Sequence, residues 1–236
     1  MTYTVTQLIT NAWYTSGIVA RNLQSVTGDQ LYDGLSMLND VLGIKTANSP
    51  LIPYYTVYDG VFVPGQEKYF IPNLVQADSL TFTIDTVRYS TSTVSRRNYF
   101  GSPRVNNIDS LPFSYTLVRV LGGTDLYVYF NPSNAFDFQI VGQFGLTEIA
   151  SNQLLLDLDT MYDRFYIVYL RYALAEYMTE EYAQTFPPGA RQKLREFESV
   201  IRDINPLDLS MKKMSSLAGG GGINYGDINI GRGWRP

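Results

Sequence analysis

The sequence predicts an α+β protein: a helical body of about four helices, an antiparallel β-domain inserted into it, and an extended C-terminal arm. Three observations carry this. Apolar residues recur at helical spacing towards both ends, at Leu31, Leu35, Leu38, Val41 and Leu42 and again at Leu194, Phe197, Val200, Ile201 and Ile204. Between them the chain switches to short β-branched and aromatic runs separated by turn residues. Beyond Asn205-Pro206 a run of glycines at 219–222 marks an arm. The expected boundaries are 1–49 for the N-terminal helices, 50–150 for the β-insert, 151–206 for the C-terminal helices and 207–236 for the arm.

In chain order, Thr4 or Thr6 can cap a first helix carrying Leu8, Ile9, Ala12 and Trp13, with Gly17 as its stop. Thr27 and Gln30 fit the T-x-x-Q capping box of a second helix, which Gly43 is expected to end. Pro50 and Pro53 break helix. Val57, Val61 and Val63 lead to a Pro64-Gly65 turn, Tyr69-Phe-Ile71 returns, and Leu80-Thr-Phe-Thr-Ile84 alternates towards Val87. After Arg96, Arg97, Asn98 and Tyr99, Gly101-Ser-Pro103 reads as a loop. Residues 115–121 and Leu126-Tyr-Val-Tyr-Phe130 flank a glycine turn as a hairpin. Asn131-Pro132 turns again, into a strand with Phe136, Phe138, Ile140 and Phe144. Such strands fit a small antiparallel sandwich or barrel.

Helix resumes near Asp159, and residues 161–182 contain neither Gly nor Pro. That stretch is apolar nearly all round, and a helix apolar on every side is buried on every side. Neighbouring subunits are expected to cover what the chain itself cannot, with Phe165, Tyr169 and Tyr172 as the subunit contacts. Pro187-Pro188-Gly189 separates this helix from the last one. The arm keeps Ile223, Tyr225, Ile228, Ile230 and Trp234, which a plain linker does not need. These five are the expected docking residues, and 30 extended residues reach up to ~100 Å.

Composition narrows the function. Cysteine and histidine are absent, which excludes disulfides, thiolate and imidazole metal sites, and Ser-His-Asp or Cys-His catalysis. Charged residues make up 17% of the chain, against a typical ~25%. Apolar residues make up 45%, and 19 of the 236 residues are tyrosine. A surface short of charge and rich in tyrosine suits contact with other protein. The net charge of −4 and pI of about 4.9 argue against a nucleic-acid binder. Residues 1–187 hold 10 basic and 17 acidic side chains, whereas 188–236 hold 8 and 5. The first residues lack the basic and apolar regions of a signal peptide. No run approaches the ~18–20 apolar residues of a membrane span, and the longest, 167–175, is interrupted by Arg171.

Little chemistry survives these limits. The glycine run lacks the Lys-Ser/Thr that completes a phosphate loop. Glu67, Glu148, Asp157, Asp159, Glu176, Glu180 and Glu181 leave a carboxylate-dependent hydrolase open, since that reaction needs neither Cys nor His. Asp157 and Asp159 lack the other ligands of a calcium loop. Arg96 and Arg97 beside Tyr99 and Phe100, and Lys212-Lys213, are small basic spots on an acidic chain. No catalytic residue, metal or cofactor is expected.

Four motifs appear in a suggestive order: Thr27-Gly-Asp-Gln-Leu-Tyr-Asp-Gly-Leu-Ser-Met-Leu-Asn39; Val63-Pro-Gly-Gln-Glu-Lys-Tyr69; Phe100-Gly-Ser-Pro103 ahead of Phe130-Asn-Pro132; and Tyr172-Ala-Leu-Ala-Glu-Tyr177 before a helix ending at Ile204-Asn205. Together, over about residues 5–205, they resemble the head-to-tail adaptors of short-tailed bacteriophages, also called tail accessory factors or packaged-DNA stabilisation proteins. Tail tubular protein A is a more distant likeness. The resemblance implies a structural virion protein of the neck, assembled in the host cytoplasm as a ring of twelve copies under the portal protein. Its helices would form the ring body, its arm would reach the portal and its β-insert would face the downstream tail proteins. Double-stranded DNA would pass through the centre, where an acidic wall does not grip phosphates by counterion release. The alternative is a peptidoglycan hydrolase of the virion tail.

Overall fold

The structure, a computed structural model, describes residues 2–101 and 103–204. Two helices open the chain, and both start on the box their sequence encodes. Thr4 Oγ1 accepts from the Gln7 N–H at 3.3 Å while the Thr4 N–H donates to Gln7 Oε1 at 3.1 Å, opening α1 (Val5–Ser16). Thr27 and Gln30 repeat the arrangement at α2 (Gly28–Ala47). Each box satisfies two donors that a helix start otherwise leaves unpaired. Gly17, at φ 79°, closes α1 in the left-handed conformation glycine tolerates.

α2 runs four residues beyond Gly43, the expected stop. An interior glycine weakens a helix by only ~1 kcal/mol relative to alanine, and the extra turn has its own anchors. The Lys45 ammonium pairs with Glu198 at 3.1 Å, and Thr46 Oγ1 accepts the Leu146 N–H at 3.0 Å.

The insert follows. Its strands are β1 (Thr56–Val61), β2 (Lys68–Pro72), β3 (Leu74–Ile84), β4 (Val87–Ser90), β5 (Ser92–Thr93), β6 (Asp109–Ser110), β7 (Ser114–Val120), β8 (Gly123–Tyr129), β9 (Asn131–Pro132) and β10 (Asp137–Phe144). One sheet runs β1-β10-β3-β4 and the other β2-β8-β7-β5. Asn73, at φ 56°, carries the chain from one sheet to the other. Alternate residues of both sheets turn inward to one core, with Phe82 opposite Phe138, Leu80 opposite Ile140 and Leu126 between Tyr69 and Leu117. Phe62 and Phe138 stack there at 4.4 Å. The main pairings are antiparallel, as expected of a sandwich, but the short β5–β7 and β6–β9 pairings are parallel. Asn131-Pro132 is thus a paired segment as well as a turn. Just ahead of the expected Gly101-Ser-Pro103 loop the chain forms a short helix, α3 (Arg96–Gly101), whose Tyr99 finds a buried seat on the second sheet.

The chain returns to the body through two 3-10 turns, Ser151–Gln153 and Leu158–Thr160. α4 (Arg164–Glu181) therefore begins later than Asp159, where Asp163 caps it by accepting the Tyr166 N–H at 2.9 Å. α5 (Pro188–Ile204) completes the body. Helices α1, α2 and α5 all pack on α4, and the second core contains Leu8, Trp13, Leu38, Tyr166, Leu174 and Ile201. This corrects the expectation drawn from α4: its own chain encloses most of it, so its all-round apolarity does not require neighbouring subunits.

Body and insert lie in one compact unit and are stitched by polar contacts. Asn39 donates to the Ile149 carbonyl at 3.0 Å and accepts the Ile149 N–H at 2.9 Å. Gln143 Nε2 donates to the Ile52 carbonyl at 2.7 Å. The Tyr54 hydroxyl donates to Asp163 Oδ2 at 2.8 Å, tying the entry to the insert to the cap of α4.

Candidate functional site

The outer face of the second sheet holds the densest cluster of unusual side chains. Strand alternation puts Tyr127 and Tyr129 on the side opposite the core residues Leu126 and Val128. α3 lies against this side. Its Tyr99 points into the sheet, where the hydroxyl lies 2.8 Å from both Glu67 Oε1 and the Val128 carbonyl. Burial pushes this hydroxyl well above its ordinary pKa, with Arg104 opposing the rise and Glu67 adding to it. The hydroxyl is therefore a fixed neutral donor.

Arg104 locks the arrangement. Its Nη2 donates to Glu67 Oε1 at 2.6 Å, and its guanidinium sits 4.2 Å from the Tyr99 ring and 4.9 Å from the Tyr129 ring. Such stacking suits the planar, weakly hydrated guanidinium. Its Nη1 is buried without a hydrogen-bond partner. Around this clamp, Phe100 meets Tyr127 edge-on at 5.1 Å, and Phe113 lies 5.6 Å from Tyr129 and 5.1 Å from Phe130. Phe100 and Phe113 nonetheless stay 54% and 51% exposed, beside exposed Val105 and Leu111. Aromatic anchors on a rigid base, next to a held arginine, are what dominates binding energy at protein interfaces.

The sequence singled out parts of this face without assembling it. Phe100-Gly-Ser-Pro103 and Phe130-Asn-Pro132 both border it. Arg96 and Arg97 are exposed on α3, but Tyr99 turns inward, so they and Tyr99 do not form one stacking platform. The roles of Glu67, Arg104 and Phe113 were missed, because their partners lie too far along the chain, 32 to 37 residues for the Glu67 bonds, to leave a local pattern.

The expected subunit contacts divide. Tyr169 is fully enclosed, with its hydroxyl 3.4 Å from Glu198 and the Lys45 ammonium 5.4 Å from its ring. It belongs to the monomer core, because α5 folds back over it, and it leaves the contact set. Phe165 and Tyr172 are half-buried and meet Phe197 of α5 at 5.4 and 5.6 Å. The expected arm residues Ile223, Tyr225, Ile228, Ile230 and Trp234 lie outside the described residues.

Most of the carboxylates weighed for hydrolysis have structural partners. Glu67 holds Tyr99 and Arg104; Asp157 accepts the Asp159 N–H; Asp159 accepts the Tyr3 N–H and pairs with Arg164; Glu176 pairs with Arg191. Asp59 and Asp137, which were not singled out, line a cleft on the first sheet with Thr83 and Gln139, and Asp59 accepts the Gln139 amide at 2.8 Å. Among the described residues no group of three or more His, Cys, Asp or Glu is placed to hold a metal, and no helix is long and apolar enough to cross a membrane. No protein-family model matches the chain, and no curated protein matches it.

Proposed function

We propose that this chain is the structural subunit of a bacteriophage head-to-tail adaptor. Twelve copies form a ring under the portal, extend the DNA channel, retain the packaged genome and offer a platform to the tail. The work is assembly without turnover, in the neck of a virion. The observation that supports this reading best is the outward aromatic face around Arg104, carried by an insert that is pinned to a separately cored helical body. An adaptor needs that division: one part to pack into a ring, another to present a rigid contact to the next component. The sequence resemblance supports the particular assembly, with the portal protein on one side and tail proteins on the other.

Native mass measurement of the purified full chain, alone and mixed with portal rings, tests it. The expected result is a twelve-fold species that binds the rings. A solitary species at micromolar concentration that ignores portal rings sinks the reading, and if that species also clears purified peptidoglycan, the tail hydrolase replaces it.

A further inference from the structure

In the helical body, an open cleft of about 280 Å³ is lined by Asn11, Tyr14 and Thr15 of α1, by Arg21 just after it and by Arg171 of α4. Two cations converge here, and among the described residues neither has an acidic partner. This is notable in residues 1–187, where carboxylates outnumber basic groups 17 to 10. Nearby Arg164, by contrast, faces Asp159 at 3.7 Å.

Both guanidiniums are held in place. Arg21 Nη2 donates to Asn11 Oδ1 at 3.1 Å and lies over the Tyr14 ring at 5.3 Å. Asn11 is itself oriented, since its Nδ2 donates to the Tyr3 hydroxyl at 2.9 Å. Arg171 lies over the Tyr172 ring at 4.9 Å, and its Nε is buried with no hydrogen-bond partner. An unpaired buried donor on a charged group is unfavourable unless something supplies the acceptor.

We infer that this cleft binds a phosphate group, with Arg21 and Arg171 as the two charged donors and Asn11 as the residue that positions Arg21. The charge count selects a dianion such as phosphate over singly charged anions. A phosphate monoester or free phosphate carries about −1.5 to −2 at neutral pH and has at least three acceptor oxygens, enough to match two guanidiniums. A carboxylate brings one charge and leaves one cation uncompensated. A nucleic-acid phosphodiester also brings one charge per group, and the acidic surroundings disfavour a polyanion. The site is independent of the adaptor reading and stands if that reading fails.

Calorimetric titration of the full chain with inorganic phosphate, phenyl phosphate, acetate and a short DNA duplex tests it. Saturable binding of phosphate is expected, at least about tenfold weaker in Arg21→Met and in Arg171→Met, since each removes a charge-assisted donor. Tighter binding of phenyl phosphate than of phosphate names a monoester as the natural source; equal or weaker binding names the free ion. Melting curves without ligand establish that the variants fold. If either does not, Arg171→Lys keeps the charge, loses the fork and is expected to weaken binding as well. Three results overturn the inference: no saturation by about 10 mM phosphate, equal affinity in the variants, or acetate or duplex DNA binding as tightly as phosphate.

Discussion

The helical body and the β-insert use the same aromatic residues to opposite ends. In the body, Trp13, Tyr166 and Tyr169 are fully enclosed, and their polar atoms are matched from within: the Trp13 indole donates to the Gln30 carbonyl at 3.0 Å and the Tyr166 hydroxyl to the Leu51 carbonyl at 3.2 Å. The insert seals its core just as well, around Phe62 and Phe138, then builds a second aromatic layer facing outward. Its edge strands β1 and β4 also leave Val57, Val61, Val87 and Tyr89 exposed. The lesson is that abundant tyrosine and sparse charge do not by themselves locate an interface. The same composition is a closed core in one region and an open face in the other.

The sharpest way to break this contrast is to open the body. Trp13→Ala removes the largest enclosed side chain, and such truncations cost about 3–5 kcal/mol. Chemical denaturation should show a loss of that size; a loss near 1 kcal/mol means the body is not sealed as described. Gly34→Ala probes the same seal from the opposite side. A Cβ there collides with Ile9 and comes within 3.1 Å of Trp13 and 3.2 Å of Met178. Overpacking of this kind costs about 1–3 kcal/mol, whereas an ordinary interior glycine gains stability on the same change. A stabilised Gly34→Ala variant therefore refutes the close approach of α1 and α2.

How far the sequence disclosed each region follows from the range of the interactions. The starts of α1 and α2 depend on residues three apart, and both capping boxes are readable. The leucine spacing of α2 and the hairpin of β7 and β8 are similarly local. Gly43 misleads because the helix beyond it is held by Glu198 and Leu146, 100 or more residues away from the side chains they hold. Tyr169 misleads for the same reason: its periodic neighbours announce burial, but only the return of α5 decides that the burial is within one chain. Of the aromatic face, the rings were visible and the clamp was not. Arg104 reads as an ordinary loop cation until Glu67, Tyr99 and Tyr129 are brought around it. The same holds for Arg21 and Arg171, which meet across 150 residues.

Alkaline titration sharpens the contrast at lower cost to the fold. Burial pushes the Tyr162 hydroxyl from its ordinary 10.0 up to about 12, and burial also raises Tyr166 and Tyr169. The folded state therefore keeps protons that the unfolded chain has released. This contribution is complete below pH 10.0 and is lost as pH rises from there towards 12, at up to about 1.4 kcal/mol per pH unit for each group. Melting temperatures should fall above pH 10, less steeply in Tyr162→Phe. A pH-independent melt between 9 and 11 shows that these rings are more hydrated than the packing implies.

The smallest expected stability effect carries the most information about the insert. Phe100 and Phe113 contact other rings, yet each leaves about half its surface in water. Their job in the monomer is slight, because Tyr99 and Arg104 beneath them hold α3 without their help. Replacing both with serine should change folding stability by no more than about 0.5 kcal/mol each, the ordinary range for surface positions. The double variant should still form the ring and bind the portal, which the adaptor reading assigns to the body and the arm. It should fail only at the next step, in pull-down of downstream tail proteins. Loss of the ring as well places subunit contacts on the insert instead, and unchanged tail binding frees the aromatic face of any role in assembly. A large loss of stability shows that the outer layer completes the sandwich, and then the difference between a closed body and an open insert disappears.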